Sequence, residues 1–173
     1  MKNLKLFTLA VAASAILFAC KPTAEEARKY NDDLIAIEKT LSEKENAFIA
    51  TFADDKTVEE KNAAYSDLVK QANESVSSAE KMPVFDNSTA YLDAAKEYFA
   101  TIKGLTNNEY KQMLDLASKK QEEVTEDDEA KYNSLIKTIQ EKSDVILNKI
   151  QSEQLIFATK YNFKVEETTT ETK

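Results

Sequence analysis

The residue best equipped for chemistry is Cys20, the only cysteine in the chain. It closes the run Leu17-Phe18-Ala19-Cys20, in which an apolar residue, a tolerated position, a small residue and cysteine make up the bacterial lipobox. Lys2 and Lys5 supply a positive n-region, and Leu6 to Ala19 an apolar h-region of signal-peptide length. In that pathway the Cys20 thiol is diacylated, the peptide bond before it is cut, and the new amine is acylated. A transmembrane helix needs roughly 20 apolar residues. Leu6 to Cys20 offers 15, with Thr8 and Ser14 among them. An ordinary secretory signal has no need of cysteine at the cut site. One acyl chain binds membranes only marginally, so three would hold Cys20 effectively permanently. Lys21, a non-Asp residue after the anchor, permits sorting to an outer membrane where one exists.

A second chemically suggestive group is the acidic run Glu122, Glu123, Glu126, Asp127, Asp128 and Glu129. It suits a divalent cation or a basic partner. It equally suits acids gathered at a helix N-terminus, where the macrodipole favours them. Calcium loops alternate their oxygen ligands and turn on a glycine; this run does neither, so the structural role is the expected one. Lys44 interrupts an apolar stripe. Pairing the first and last helices antiparallel, with Ala27 opposite Tyr161, sets Lys44 against Asp144 or Ser143, as a register-setting polar position or a lysine with a packed stem.

What is missing narrows the chemistry further. There is no histidine, which removes Ser-His-Asp and Cys-His catalysis, histidine-ligated zinc and the Glu-x-x-His pairs of di-iron bundles. The formal net charge is −8, and residues 1–19 carry two lysines and no acid, so the mature chain stands at −10. Nucleic-acid binding relies on basic side chains that neutralise phosphate, so no such partner is expected. With Cys20 acylated no thiol remains for a disulfide or a haem. Paired-acid hydrolysis has no motif among the 31 acids.

These groups must be positioned by helices. One glycine and two prolines in 173 residues leave little material for the turns of a β-sheet. Capping-box spellings recur at Thr23 with Glu26, Thr57 with Glu60 and Thr106 with Glu109, and more weakly at Thr125 with Asp128; Asn87 and Ser88 offer another N-cap. Apolar residues at three-four spacing predict helices over about 24–52, 58–81, 89–119 and 126–162. Their stripes include Leu34, Leu41 and Phe48; Val58, Leu68 and Ala72; Tyr98, Ile102 and Leu105; and Ile136, Ile146 and Phe157. Gly104 lies within the third. At about 1.5 Å per residue a helix running through it matches its neighbours in length, and one ending there is half as long, so a continuous, bent helix is expected.

The predicted architecture is all-α: an elongated up-down-up-down four-helix bundle over residues 24–163, behind a cleaved signal peptide (1–19) and a lipidated anchor (20–23). Residues 164–173, rich in Glu, Thr and Lys, form an expected disordered tail. The anchor then sits at one end with the 82–88 loop and the tail. The acidic 119–129 connection sits at the far tip.

Several short motifs carry a family resemblance: Cys20, Tyr30-Asn31-Asp32, Phe99, Glu109-Tyr110-Lys111, Gln154, Phe157-Ala158 and Lys160-Tyr161-Asn162-Phe163. With these the chain resembles small helical surface lipoproteins of unknown function from spirochaetes and Bacteroidota. The resemblance spans most of the mature chain. It implies surface exposure and supplies no catalytic residues. The resulting expectation is a non-enzymatic envelope or cell-surface module, without cofactor, held to the membrane through Cys20 and acting on an unknown protein partner. The alternative is a carrier that holds an apolar small molecule between helices, against Tyr98, Phe99, Ile102 and Phe157.

Overall fold

The structure, a computed structural model, describes residues 21–54 and 56–165. The expected signal peptide, Cys20 and residues 166–173 lie outside the described residues. Among the described residues the regular structure is helical: α1 (Ala24–Ala53), α2 (Val58–Lys81), α3 (Ala90–Leu105), α4 (Lys111–Ala117) and α5 (Glu126–Lys160), with a π turn at Thr106–Tyr110 and a 3-10 turn at Gln121–Glu123. None of these helices is long and apolar enough to cross a membrane.

Three of the four capping boxes form. Thr23, Thr57 and Thr125 are extended, and each hydroxyl accepts from the backbone N–H three residues on, while Glu26, Glu60 or Asp128 reaches back to the cap N–H. Each box satisfies two of the donors that a helix start leaves without partners. Asn162, at φ 56°, ends α5 in the left-handed conformation that asparagine tolerates.

The other two expected caps do not form. Thr106 lies within a helix that never stops: α3, the π turn and α4 are contiguous, and the Thr106 hydroxyl donates to the Ile102 carbonyl at 2.8 Å. A Cβ placed at Gly104 would meet nothing within 4 Å, so no close packing requires glycine there. Asn87 is taken up by a tight turn. Asp86 and Asn87 both have positive φ, 49° and 55°, and the Ser88 N–H donates to the Phe85 carbonyl at 2.9 Å. Two consecutive left-handed residues are the mark of a type I′ turn, where Asp and Asn are favoured. Thr89 therefore stands at the start of α3 without a capping bond from its side chain.

Contacts between rods run in ladders. Tyr30 reaches Pro83 beyond the end of α2, while Lys44 and Phe48 meet Asp67 and Tyr65. Between α3 and α5, Tyr91 packs on Phe157 and Glu97 pairs with Lys149, and Glu109 of the following π turn pairs with Lys142. Between α1 and α5, Tyr30 packs on Phe157 and Phe52 on Tyr132.

The core is one apolar cluster from Ala27 to Phe163. At one end Phe157 gathers the rings of Tyr30, Tyr91, Phe85, Tyr161 and Phe163, with centroids 4.8–5.9 Å away. At the other, Phe48 meets Phe52, Tyr65 and Tyr110. Tilted and edge-to-face ring pairs each add about 0.5–1.5 kcal/mol beyond their buried area. Val58 and Ile136, expected in the core stripes, are exposed instead. Val165, within the expected tail, packs half-buried against the core.

Candidate functional site

The π turn is where α3 meets all three neighbours. A π turn holds one residue more than an α turn, and such bulges are frequent at functional positions. Here it presents three successive contacts. The Thr106 carbonyl accepts from the Tyr65 hydroxyl of α2 at 3.2 Å. Glu109, buried, accepts from Lys142 of α5 at 2.6 Å. Tyr110, 2% exposed, donates to Glu45 Oε1 of α1 at 2.5 Å.

The carboxylates on the α1 side were not foreseen from the sequence. Asn31, Glu38, Glu45 and Phe52 recur every seventh residue, beside the buried row Ala27, Leu34, Leu41 and Phe48. That row of α1 faces the α3 and α5 side. Asn31 Oδ1 accepts from the Tyr91 hydroxyl at 3.1 Å and from Gln154 Nε2 at 2.9 Å. Glu38 is held above the ordinary carboxylate range by burial. Burial likewise raises Glu45, against the opposing effect of the Tyr110 hydrogen bond. The facing hydroxyls answer in kind. Tyr98 and Tyr110 are raised chiefly by burial and further by these carboxylates, so both stay protonated and able to donate. The bonds of Asn31 to Tyr91 and Gln154 and of Glu45 to Tyr110 form a polar seam that can lock helix register. On α5, Ser143 Oγ is buried without a hydrogen-bond partner.

The position expected for Lys44 is corrected by the same geometry. Residue 45, not 44, lies on the inward row, and Lys44 sits about 100° round the helix. It donates to Asp67 of α2 at 2.8 Å instead of meeting Asp144 or Ser143. Both partners are largely exposed, so the pair adds little stability.

The acidic connection separates into two parts. Asp128 serves the fold: it closes the Thr125 capping box and accepts from Lys119 at 2.7 and 2.8 Å. Lys119 and the Thr125 hydrogen bonds pull its carboxyl down to about 2. Glu122, Glu123, Glu126, Asp127 and Glu129 are exposed. Among the described residues no three acidic, cysteine or histidine side chains are grouped to hold a metal ion. An open cleft of about 370 Å³ lies beside this connection, lined by Leu116, Val124, Tyr132 and Asp128 among others. The four residues weighed for an apolar ligand lie elsewhere. Tyr98, Phe99 and Ile102 are buried on α3, and Phe157 belongs to the ring cluster at the opposite end.

In comparisons with protein-family models, with curated proteins and with solved structures, nothing matched the chain.

Proposed function

We propose that this chain is a lipid-anchored, non-enzymatic envelope protein, held at an outer membrane or cell surface through acylated Cys20. Its helices form an elongated up-down-up-down bundle that works as an interaction module. The observation that carries this reading is the lipobox Leu17-Phe18-Ala19-Cys20 behind a lysine-led apolar run. It ends three residues before the Thr23 cap of α1.

The bundle topology is supported by the direction of the contact ladders. Early residues of α1 meet the segment just past the end of α2 and late residues of α5, and early residues of α3 meet late residues of α5. Asn31, bonded to Tyr91 and Gln154, and Glu45, bonded to Tyr110, lie with Glu38 along one row of α1 and have the character of a register-setting polar seam. The exposed acids Glu122, Glu123, Glu126, Asp127 and Glu129 form the tip offered to a basic partner, and this supports a role played through the surface. The resemblance to helical surface lipoproteins points the same way.

Fractionation tests the anchor. Wild type is expected with membranes and Cys20→Ser in the soluble fraction. A Cys20→Ser chain that remains with membranes after a high-salt wash overturns the proposal.

A further inference from the structure

The two halves of α5 differ in charge. From Glu126 to Asp144 the helix carries Glu126, Asp127, Asp128, Glu129, Glu141 and Asp144. From Val145 to Lys160 its exposed positions are Val145, Asn148, Lys149, Gln151, Ser152, Leu155, Ile156, Thr159 and Lys160, without one acid. In a chain of net charge −8 this is an unusual surface, and it is apolar as well. Val145 is 71% exposed, Leu155 64% and Ile156 58%. Val145 and Ile156 lie eleven residues apart, about three turns, which sets them on one face about 16 Å from each other. Ser152 lies between them. Of the acids near this face, Glu97 and Asp86 are paired with Lys149 and Lys160, Glu153 is half-buried at its edge, and Asp144 and Glu141 adjoin Val145 where the acidic half begins.

The position of the face names its occupant. Phe157 packs on Tyr30, in the second turn of α1, so this half of α5 lies at the end where the chain enters from Cys20. Only Lys21 and Pro22 lie between Cys20 and Thr23, and three extended residue steps span at most about 10 Å. We propose that the bundle leans toward α5, so that Val145, Leu155 and Ile156 rest in the headgroup region of the bilayer that holds Cys20. The inference rests on the lipid anchor proposed above. An upright bundle leaves these side chains in water. A lean toward α5 buries them while the four consecutive acids Glu126 to Glu129, about 24 Å further along the helix from Val145, stay clear of anionic headgroups, which repel them. Apolar helix faces of this kind sit about 5–10 Å into the headgroup boundary.

The test uses full-length protein processed in cells, with Val145→Cys, Ile156→Cys and, on an exposed position of α1, Glu43→Cys as separate variants. With Cys20 acylated, each variant has a single free thiol for a nitrobenzoxadiazole label. Each is reconstituted in phosphatidylethanolamine–phosphatidylglycerol vesicles with and without nitroxide-bearing lipid, after intact mass has established acylation and circular dichroism has established the fold. The expected result is a blue-shifted emission and a loss of about half the signal to nitroxide at positions 145 and 156, with little change at 43. Acylated protein without lipid quenching at 145 and 156 overturns the inference and leaves the anchor standing. A blue shift without quenching means that another protein copy covers the face, and overturns it too. An unacylated Cys20 overturns the anchor and the lean together.

Discussion

Tyr110→Phe isolates the strongest contact of the seam. The substitution removes one hydroxyl and keeps the ring, which stands edge-on to Phe48 with centroids 5.5 Å apart. What is lost is the 2.5 Å hydrogen bond to Glu45. A hydrogen bond to a charged group contributes about 1.5–3 kcal/mol. For a domain of this size each kcal/mol shifts the melting temperature by about 2–4 °C, so a fall of about 3–12 °C is expected at neutral pH. The loss should shrink in mild acid. The Tyr110 bond lowers the pKa of Glu45, against burial, which raises it. Without the bond Glu45 takes up its proton at a higher pH, and the protonated carboxyl has less need of a donor. Glu45→Gln removes the charge, so the double variant should lose less than the sum of the single losses. Thermal unfolding of the four proteins followed by circular dichroism at pH 7 and pH 5 measures all of this. A shift under about 1 °C at pH 7, or equal losses at both pH values, refutes the account of the seam.

Stability should peak in mild acid. The carboxyls of Glu38 and Glu45 are raised in the fold. The folded chain therefore holds more protons than the unfolded one just above the ordinary glutamate range, and stability falls as pH rises through that window. Asp128, drawn down to about 2, and Asp67, also lowered, stabilise above the ordinary aspartate range, and that contribution is lost as pH falls through it. Denaturation across a pH series checks this, and Glu38→Gln with Glu45→Gln should flatten the alkaline limb. Phe157→Ala, at the centre of the ring cluster, should cost about 3–5 kcal/mol by urea titration. Asn87→Ala should cost about 1–2 kcal/mol for its left-handed backbone, whereas Asn87→Gly should cost little.

Much of the fold was legible because its signals are local. Thr23, Thr57 and Thr125 cap helices within a few residues of themselves, and each predicted start holds. Thr106 and Glu109 spell the same box, yet the apolar period runs through them from Ile102 to Met113. Where local spelling and a continuing buried stripe disagree, burial wins. Asn87 was read as a cap because the tight turn at Phe85–Ser88 depends on backbone signs that composition does not display. Val58 and Ile136 match the stripes in spacing but stand toward water.

The seam was less legible. Glu38 and Glu45 look like ordinary surface acids until the seven-residue interval from Asn31 to Phe52 is counted beside the Ala27–Phe48 row. Reading Lys44 as the inward position missed it by one residue, or about 100° of helix. No residue type announces a π turn, so the meeting of Tyr65, Glu109, Tyr110 and Glu45 could not be placed from spacing alone. The acidic tip was read as helix-start chemistry, and Asp128 fits that role.

The anchor at Cys20 is the central claim, and intact-mass analysis of the protein extracted from its native membrane tests it most directly. The expected chain begins at Cys20 and carries the added mass of three acyl chains. A chain that begins elsewhere, or begins at Cys20 without acyl groups, contradicts it.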